Sequence, residues 1–167
     1  MNRSDIHEVQ MKSKTPNDPS QRKLAEFLCF AVYSTNLAFG RVYRPILDAL
    51  GLTYTQYVTM IALFEEDDQT VSSLGEKLFL ESNTLTPILK KLEGMGYLAR
   101  VRDSVDERLV RVRLTEEGLL LREKTASINL SDACGLTTDQ FTSLREQVVE
   151  LRKNLVEAAR SSGGQAG

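Results

Sequence analysis

A mainly α-helical fold with one small β-hairpin is what this sequence predicts, on three observations. Apolar residues recur at helical spacing over most of the chain, as in LAEFLCFAVYSTNLAFGRVYRPILDALG, where Leu24, Phe27, Leu28 and Ala31 begin the pattern. One stretch, LARVRDSVDERLVRVRLT, switches to alternation: Val110, Val112 and Leu114 alternate with Arg111 and Arg113, and the polar DSVDE separates two such runs. A last seam of Phe141, Leu144, Val148, Leu151 and Leu155 keeps spacings of three and four, the pattern of a helix that packs on another helix.

The elements follow in order. MNRSDIHEVQMKSKTPNDPSQRK is polar throughout, and residues 1–19 are expected to be a flexible leader. A long helix comes next, which Pro45 and Gly51 are expected to kink and stop, leaving a short second helix. Thr53 offers an N-cap for TYTQYVTMIALFEE, and Ser73 with Glu76 three residues on offers a capping box within TVSSLGEKLF. Ser82 is expected to cap the helix of LESNTLTPILKKLEGMGY, whose apolar stripe is Leu85, Ile88, Leu89 and Leu92 and whose end is marked by Gly94 and Gly96. Pro87 falls within or just past the first turn of that helix, where a missing amide costs least. The hairpin, a capped helix from Thr115 to about Asn129, the seam helix and a flexible tail over residues 161–167 complete the chain.

With 167 residues, 41% of them hydrophobic, one globular unit with an adequate core is expected. There is no apolar run of membrane-spanning length and no apolar signal stretch, which points to the cytoplasm and to no membrane partner. Thiols are kept reduced there, so a disulfide between the two cysteines, Cys29 and Cys134, would be transient. The one histidine, His7, lies in the leader, leaving no histidine triad and no zinc ligand set, and no cofactor is expected. Net charge is −2, yet residues 82–113 carry an excess of three positive charges from Lys90, Lys91, Arg100, Arg102, Arg108, Arg111 and Arg113. A partner responds to where charge lies.

A short helix, a tight turn, a polar-faced helix and a basic hairpin form the order of a winged helix-turn-helix. The polar face, Asn83, Thr84, Thr86, Lys90 and Lys91, suits the major groove, and the hairpin suits the flanking minor groove. Isolated surface charges are usually just solvated; their place in this order of elements favours DNA.

The segment TVSSLGEKLFLESNTLTPILKKLEGMGYLARVRDSVDERLVRVRLTEEG resembles the helix-turn-helix and wing of the MarR family of bacterial repressors, including a DxxDxR wing motif at Asp103, Asp106 and Arg108. With the flanking helices the resemblance covers residues 20–160. It implies a homodimer on a pseudo-palindromic double-stranded DNA operator, with a winged core over about 53–115 and interlocking dimerisation helices over about 20–52 and 116–160. It also implies DNA contacts from Ser82, Asn83, Thr84, Thr86, Pro87, Lys90 and Lys91, and an Arg108 that enters the minor groove braced by Asp106.

Three further stretches, LCFAVYS, RVYRPILDALGLTYTQY and LTPILKKLE, resemble the organic hydroperoxide resistance branch of that family. The branch implies that Cys29 is the peroxide-reactive thiol, that Tyr43 and Tyr54 hydrogen-bond it, and that Cys134 traps its oxidised form, as in two-cysteine members, between subunits. The chemistry fits: the thiolate is the nucleophile, a thiol of ordinary pKa (about 8.5) is mostly protonated at neutral pH, and phenolic donors or a helix N-terminus favour the anion. Phe27, Phe30 and Phe39 would admit greasy peroxides, whereas Tyr33 and Tyr57 are expected to be core. The expected function is a repressor, not an enzyme, released when organic hydroperoxide oxidises Cys29. A repressor released by an aromatic ligand is the alternative. A thiol peroxidase fits less well, because the alternating βα pattern of thioredoxin-like enzymes is missing.

Overall fold

The computed structural model describes residues 23–126, 128 and 132–163; the expected leader, the far end of the tail and the Asn129 boundary lie outside them. The described residues form six α-helices and one three-stranded antiparallel sheet, and they group into two units that divide after Pro45. None of these helices is long and apolar enough to cross a membrane.

The first unit contains a 3-10 turn, Leu24–Glu26, and most of α1, Leu28–Asp48. The helical pattern starts at Leu24, but the α-helix starts later: Phe27 is extended, and its carbonyl accepts the amides of Phe30 and Ala31, both at 3.1 Å. Cys29 is thereby placed in the first turn. The expected division at Pro45 is not found. The helix runs on through Pro45, which forfeits one amide near the helix end, and closes where Leu50 and Leu52 both donate to the Leu47 carbonyl at 3.0 Å. Leu28, Val32, Leu37 and Val42 all stay exposed on α1, as does Tyr33, which was expected in the core.

The second unit is built on α2, Tyr54–Glu65. Thr53 caps it as expected, and Gln56 completes a capping box that was not foreseen: Gln56 N donates to Thr53 Oγ1 at 3.3 Å and Thr53 N donates to Gln56 Oε1 at 2.8 Å. Tyr57 is core, as expected. Next come β1, Gln69–Thr70, and α3, Val71–Leu78. Here the cap is Thr70, whose hydroxyl accepts the Ser73 amide at 3.1 Å, so Ser73 is three residues inside the helix and does not cap it. α4, Ser82–Gly94, opens on the carbonyl of Glu81, which takes the amides of Thr84 and Leu85. Ser82 is already helical, and its own carbonyl accepts the Thr86 hydroxyl at 2.6 Å, so it does not cap either. The helix survives Pro87 and ends where Tyr97 N reaches back to the Leu92 carbonyl at 3.1 Å.

The hairpin strands are β2, Leu98–Arg102, and β3, Val110–Leu114, in the sheet order β1, β3, β2. Two-residue β1 pairs Gln69 with Val112 and Thr70 with Arg111. It was not foreseen, because two residues carry no periodicity. Met60, Leu63, Leu74, Leu85, Leu89, Leu92, Leu98, Val112 and Leu121 are fully buried and fasten α2 through α5 to the sheet. Each such aliphatic side chain stabilises the fold by about 1.5–3 kcal/mol relative to exposure. α5, Glu116–Thr125, is capped by Thr115, whose hydroxyl accepts the Gly118 amide at 3.1 Å. α6, Thr138–Gly163, starts from a Thr137 and Gln140 capping box and leaves Leu144, Val148 and Leu155 exposed.

Candidate DNA-binding surface and redox thiol

Helix α4 turns two chemically different faces to its surroundings. Leu85, Leu89 and Leu92 are buried, while Asn83, Thr84, Pro87, Lys90 and Lys91 share the opposite, exposed face. Ser82 is exposed at the helix start and Thr86 is partly covered. The turn into this helix is tight. Phe79 adopts the left-handed conformation (φ 56°), Leu80 N donates to the Gly75 carbonyl at 2.9 Å, and a Cβ on Gly75 would lie 2.9 Å from the Leu80 oxygen. The Arg152 guanidinium of α6 lies 4.5 Å above the exposed Phe79 ring, which fastens the turn from outside.

At the wing, most of the charge excess is paired within the protein. Glu93 holds Arg100 through its Nη2 at 2.6 Å and its Nε at 2.9 Å. Asp68 accepts Arg111 Nε at 2.6 Å and Arg113 Nε at 2.8 Å, and Asp103 accepts Arg111 Nη1 at 3.2 Å. Hydrogen bonds from the two arginines hold the Asp68 carboxyl well below the usual range, at about 2. The register puts Arg111 and Arg113 on one face with Ala99 and Val101. The expected basic face is therefore neutralised by Asp68 and Asp103. Among the described residues, Lys90, Lys91 and Arg102 have no ion-pair partner. Arg108 has Asp106, which accepts its Nε at 3.0 Å and its Nη2 at 3.1 Å, while 89% of the Arg108 side chain stays open.

The candidate thiol, Cys29, is the second residue of α1 and is exposed, with Phe27 just before the helix and Phe39 on it, both half-open. Tyr43 lies on that helix too, fourteen residues on, which at 1.5 Å per residue is about 21 Å away. No side-chain rotation closes that gap inside one chain. Tyr54 opens α2 half-buried, and burial pushes its phenol pKa up, so it keeps its proton as a donor at neutral pH. Cys134 ends a 3-10 turn, Asp132–Cys134, is partly covered, and forms no disulfide with Cys29. No cluster of metal-ligating side chains occurs among the described residues.

The family model described as transcriptional regulator SarA/Rot matches residues 41–125. The HTH-type transcriptional regulator TtmR of Methylorubrum extorquens (strain PA1) is 40% identical over 152 residues, covering 90% of this chain and 77% of the relative. The fold is that of MarR from E. coli, with a TM-score of 0.62 at 22% identity over 75% of this chain and 96% of that one. The chain belongs to the SarA/Rot transcriptional regulators and has the MarR fold. Another relative of this MarR-like regulator is the organic hydroperoxide resistance transcriptional regulator of Bacillus subtilis (strain 168), 44% identical over 106 residues, covering 64% of this chain and 72% of the relative. AbfR of Staphylococcus epidermidis, solved reduced and bound to DNA, is 35% identical with a TM-score of 0.67 over 82% of this chain and 96% of that one. AbfR is also known overoxidized on DNA and in a disulfide form.

Like its relatives, this MarR-like chain regulates transcription and is not an enzyme. Sequence reasoning missed Asp68, Glu93 and the role of Arg111, which together shape the wing. The acidic run EEDD just before the first strand was the available signal.

Proposed function

We propose that this regulator is a homodimeric, cytoplasmic repressor that binds a pseudo-palindromic operator when reduced and leaves it when an organic hydroperoxide oxidises Cys29. The spacing within α1 carries this reading. Cys29 stands in the first turn of α1, and the Tyr43 phenol that would hydrogen-bond it is about 21 Å away in the same chain. A second copy supplies it. The exposed apolar residues of α1 and α6 offer the surface on which that copy packs, with a winged core over about 53–115 and dimerisation helices on either side.

The Cys29 sulfur takes one oxygen from the hydroperoxide, which departs as the alcohol, and becomes a sulfenic acid. That acid condenses with the Cys134 thiol of the partner chain, forming a disulfide and releasing water. The similarity to the Bacillus regulator supports the peroxide signal. AbfR, DNA-bound both reduced and overoxidized and separately seen as a disulfide, supports the disulfide as the state that leaves DNA. On DNA, Asn83, Thr84, Thr86, Lys90 and Lys91 face the major groove with Ser82 and Pro87 at its edge, and Arg108, held by Asp106, enters the minor groove.

The test is a hydroperoxide titration read by operator binding. Native protein is expected to release DNA at about one equivalent per Cys29, and Cys29→Ser to bind equally well and ignore the oxidant. Peroxide-driven release of Cys29→Ser would overturn the reading.

A further inference from the structure

The root and tip of the wing are joined by an unbroken run of hydrogen bonds. At the tip, Arg108 rests on Asp106 alone. The Asp106 amide in turn donates to Asp103 Oδ1 at 3.1 Å, and the Val105 amide donates to the same oxygen at 2.8 Å. The other oxygen of Asp103 accepts Arg111 Nη1 at 3.2 Å, and Asp103 is only 14% exposed. Arg111 then bonds Asp68 twice, through Nε to the carboxylate at 2.6 Å and through Nη2 to the backbone carbonyl. Asp68 sits in the turn between α2 and β1 with a left-handed backbone (φ 54°), which aspartate tolerates better than most residues and which the surroundings must hold in place.

We infer that Asp68 is a positioning residue for operator binding: it fixes Arg111, Arg111 fixes Asp103, and Asp103 shapes the wing tip that aims Arg108 at DNA. The inference rests on the proposal that Arg108 contacts DNA. Among the described residues, the Asp68 carboxylate bonds to Arg111 and Arg113 and to no side chain of α4. It carries a negative charge, so by charge alone it weakens DNA binding and its removal strengthens it. Positioning predicts the opposite sign. Arg113 supplies a control, because it bonds the same carboxylate at 2.8 and 3.1 Å but makes no bond toward the tip.

The experiment is a double-mutant cycle on the full-length reduced protein, read by operator affinity, with thermal melts run alongside. In the native background Arg108→Ala is expected to weaken binding about tenfold. Asp68→Asn is expected to weaken it too, despite the gain of positive charge, and in that background Arg108→Ala costs less than about threefold more. In Arg113→Ala the full Arg108 penalty of about tenfold remains. Should Asp68→Asn fail to fold, Arg111→Gln cuts the same run of bonds, and the same collapse of the Arg108 penalty is read there. Asp68→Asn binding as tightly as native protein, or an undiminished Arg108 penalty in either background, would overturn the inference while leaving the DNA role of Arg108 standing. No effect of Arg108→Ala in the native background would remove that role and the inference with it.

Discussion

Arg108 and Lys90 are expected to touch DNA by different chemistry, and single substitutions separate them. Arg108 has one carboxylate partner and is otherwise open, so exchanging Asp106 for DNA sacrifices an exposed ion pair that contributes little to folding. Lys90→Ala removes a phosphate-type charge: operator and non-operator binding both weaken, and the slope of log affinity on log salt flattens by about one. Arg108→Ala instead costs more on the operator than on random DNA. Neither substitution is expected to move thermal stability by more than about 0.5 kcal/mol, since both side chains lie outside the core. Equal losses on every DNA sequence for both variants would show that Arg108 is only a point charge.

The Asp68 carboxyl has a definite pH signature. Its pKa in the folded chain, about 2, lies below the ordinary 3.8, so its contribution is fully present above about pH 4 and fades as pH falls through 2. Carboxyl resonances followed by NMR are expected to show Asp68 titrating near 2, and Arg111→Ala to raise that value. An unmoved midpoint in Arg111→Ala would assign the depression to Arg113 alone.

Among the elements, α5 has the least tolerant contact. A Cβ at Gly118 would sit 2.1 Å from the Tyr97 carbonyl oxygen and 3.3 Å from a Leu114 methyl. Tyr97 is tied at the same place by the amide of Thr115 at 3.2 Å, so the backbone has no room to retreat. Gly118→Ala is expected to destabilise the fold by about 1–3 kcal/mol or more. The check is chemical unfolding, with a shifted midpoint as the expected outcome and an unchanged one counting against this packing. Elements with long amphipathic stripes were legible in the sequence: α2 with its Thr53 cap, α4 with Leu85, Leu89 and Leu92, and the β2–β3 hairpin. Features set by tertiary context were not. Thr70 caps α3 because β1 pairing leaves it extended, and Pro45 stays helical because it stands near the helix end, where few bonds remain to be lost.

For the whole molecule, two copies presenting two α4 helices would read half-sites about 34 Å apart or a multiple of that. Charged substitutions on the α6 seam, such as Leu144→Glu with Val148→Glu, are expected to yield monomers in sedimentation and to lose cooperative operator binding. Cys134→Ser is expected to react with hydroperoxide at Cys29 yet form no covalent dimer on a non-reducing gel. With excess oxidant it is driven past the sulfenic acid. A covalent dimer in that variant would refute the proposed pairing. Composition and periodicity could flag Cys29 but not what surrounds it. The proposed thiol site is reached only through family resemblance, since its members sit far apart in the chain.

The rise of α1 has a consequence for inheritance. If each Cys29 is served by the Tyr43 of the other copy, a Cys29→Ser chain and a Tyr43→Phe chain are each defective alone, one lacking sulfur and the other its donor. Paired in one dimer, they rebuild a single intact site, with the sulfur from one allele and the phenol from the other. A cell carrying both broken alleles is then expected to recover part of its response to hydroperoxide, whereas a cell carrying both lesions on one allele and none on the other must rely on its unmutated chains pairing together. Complementation of this kind reads out, without a structure of the dimer, which chain each half of the sensor comes from.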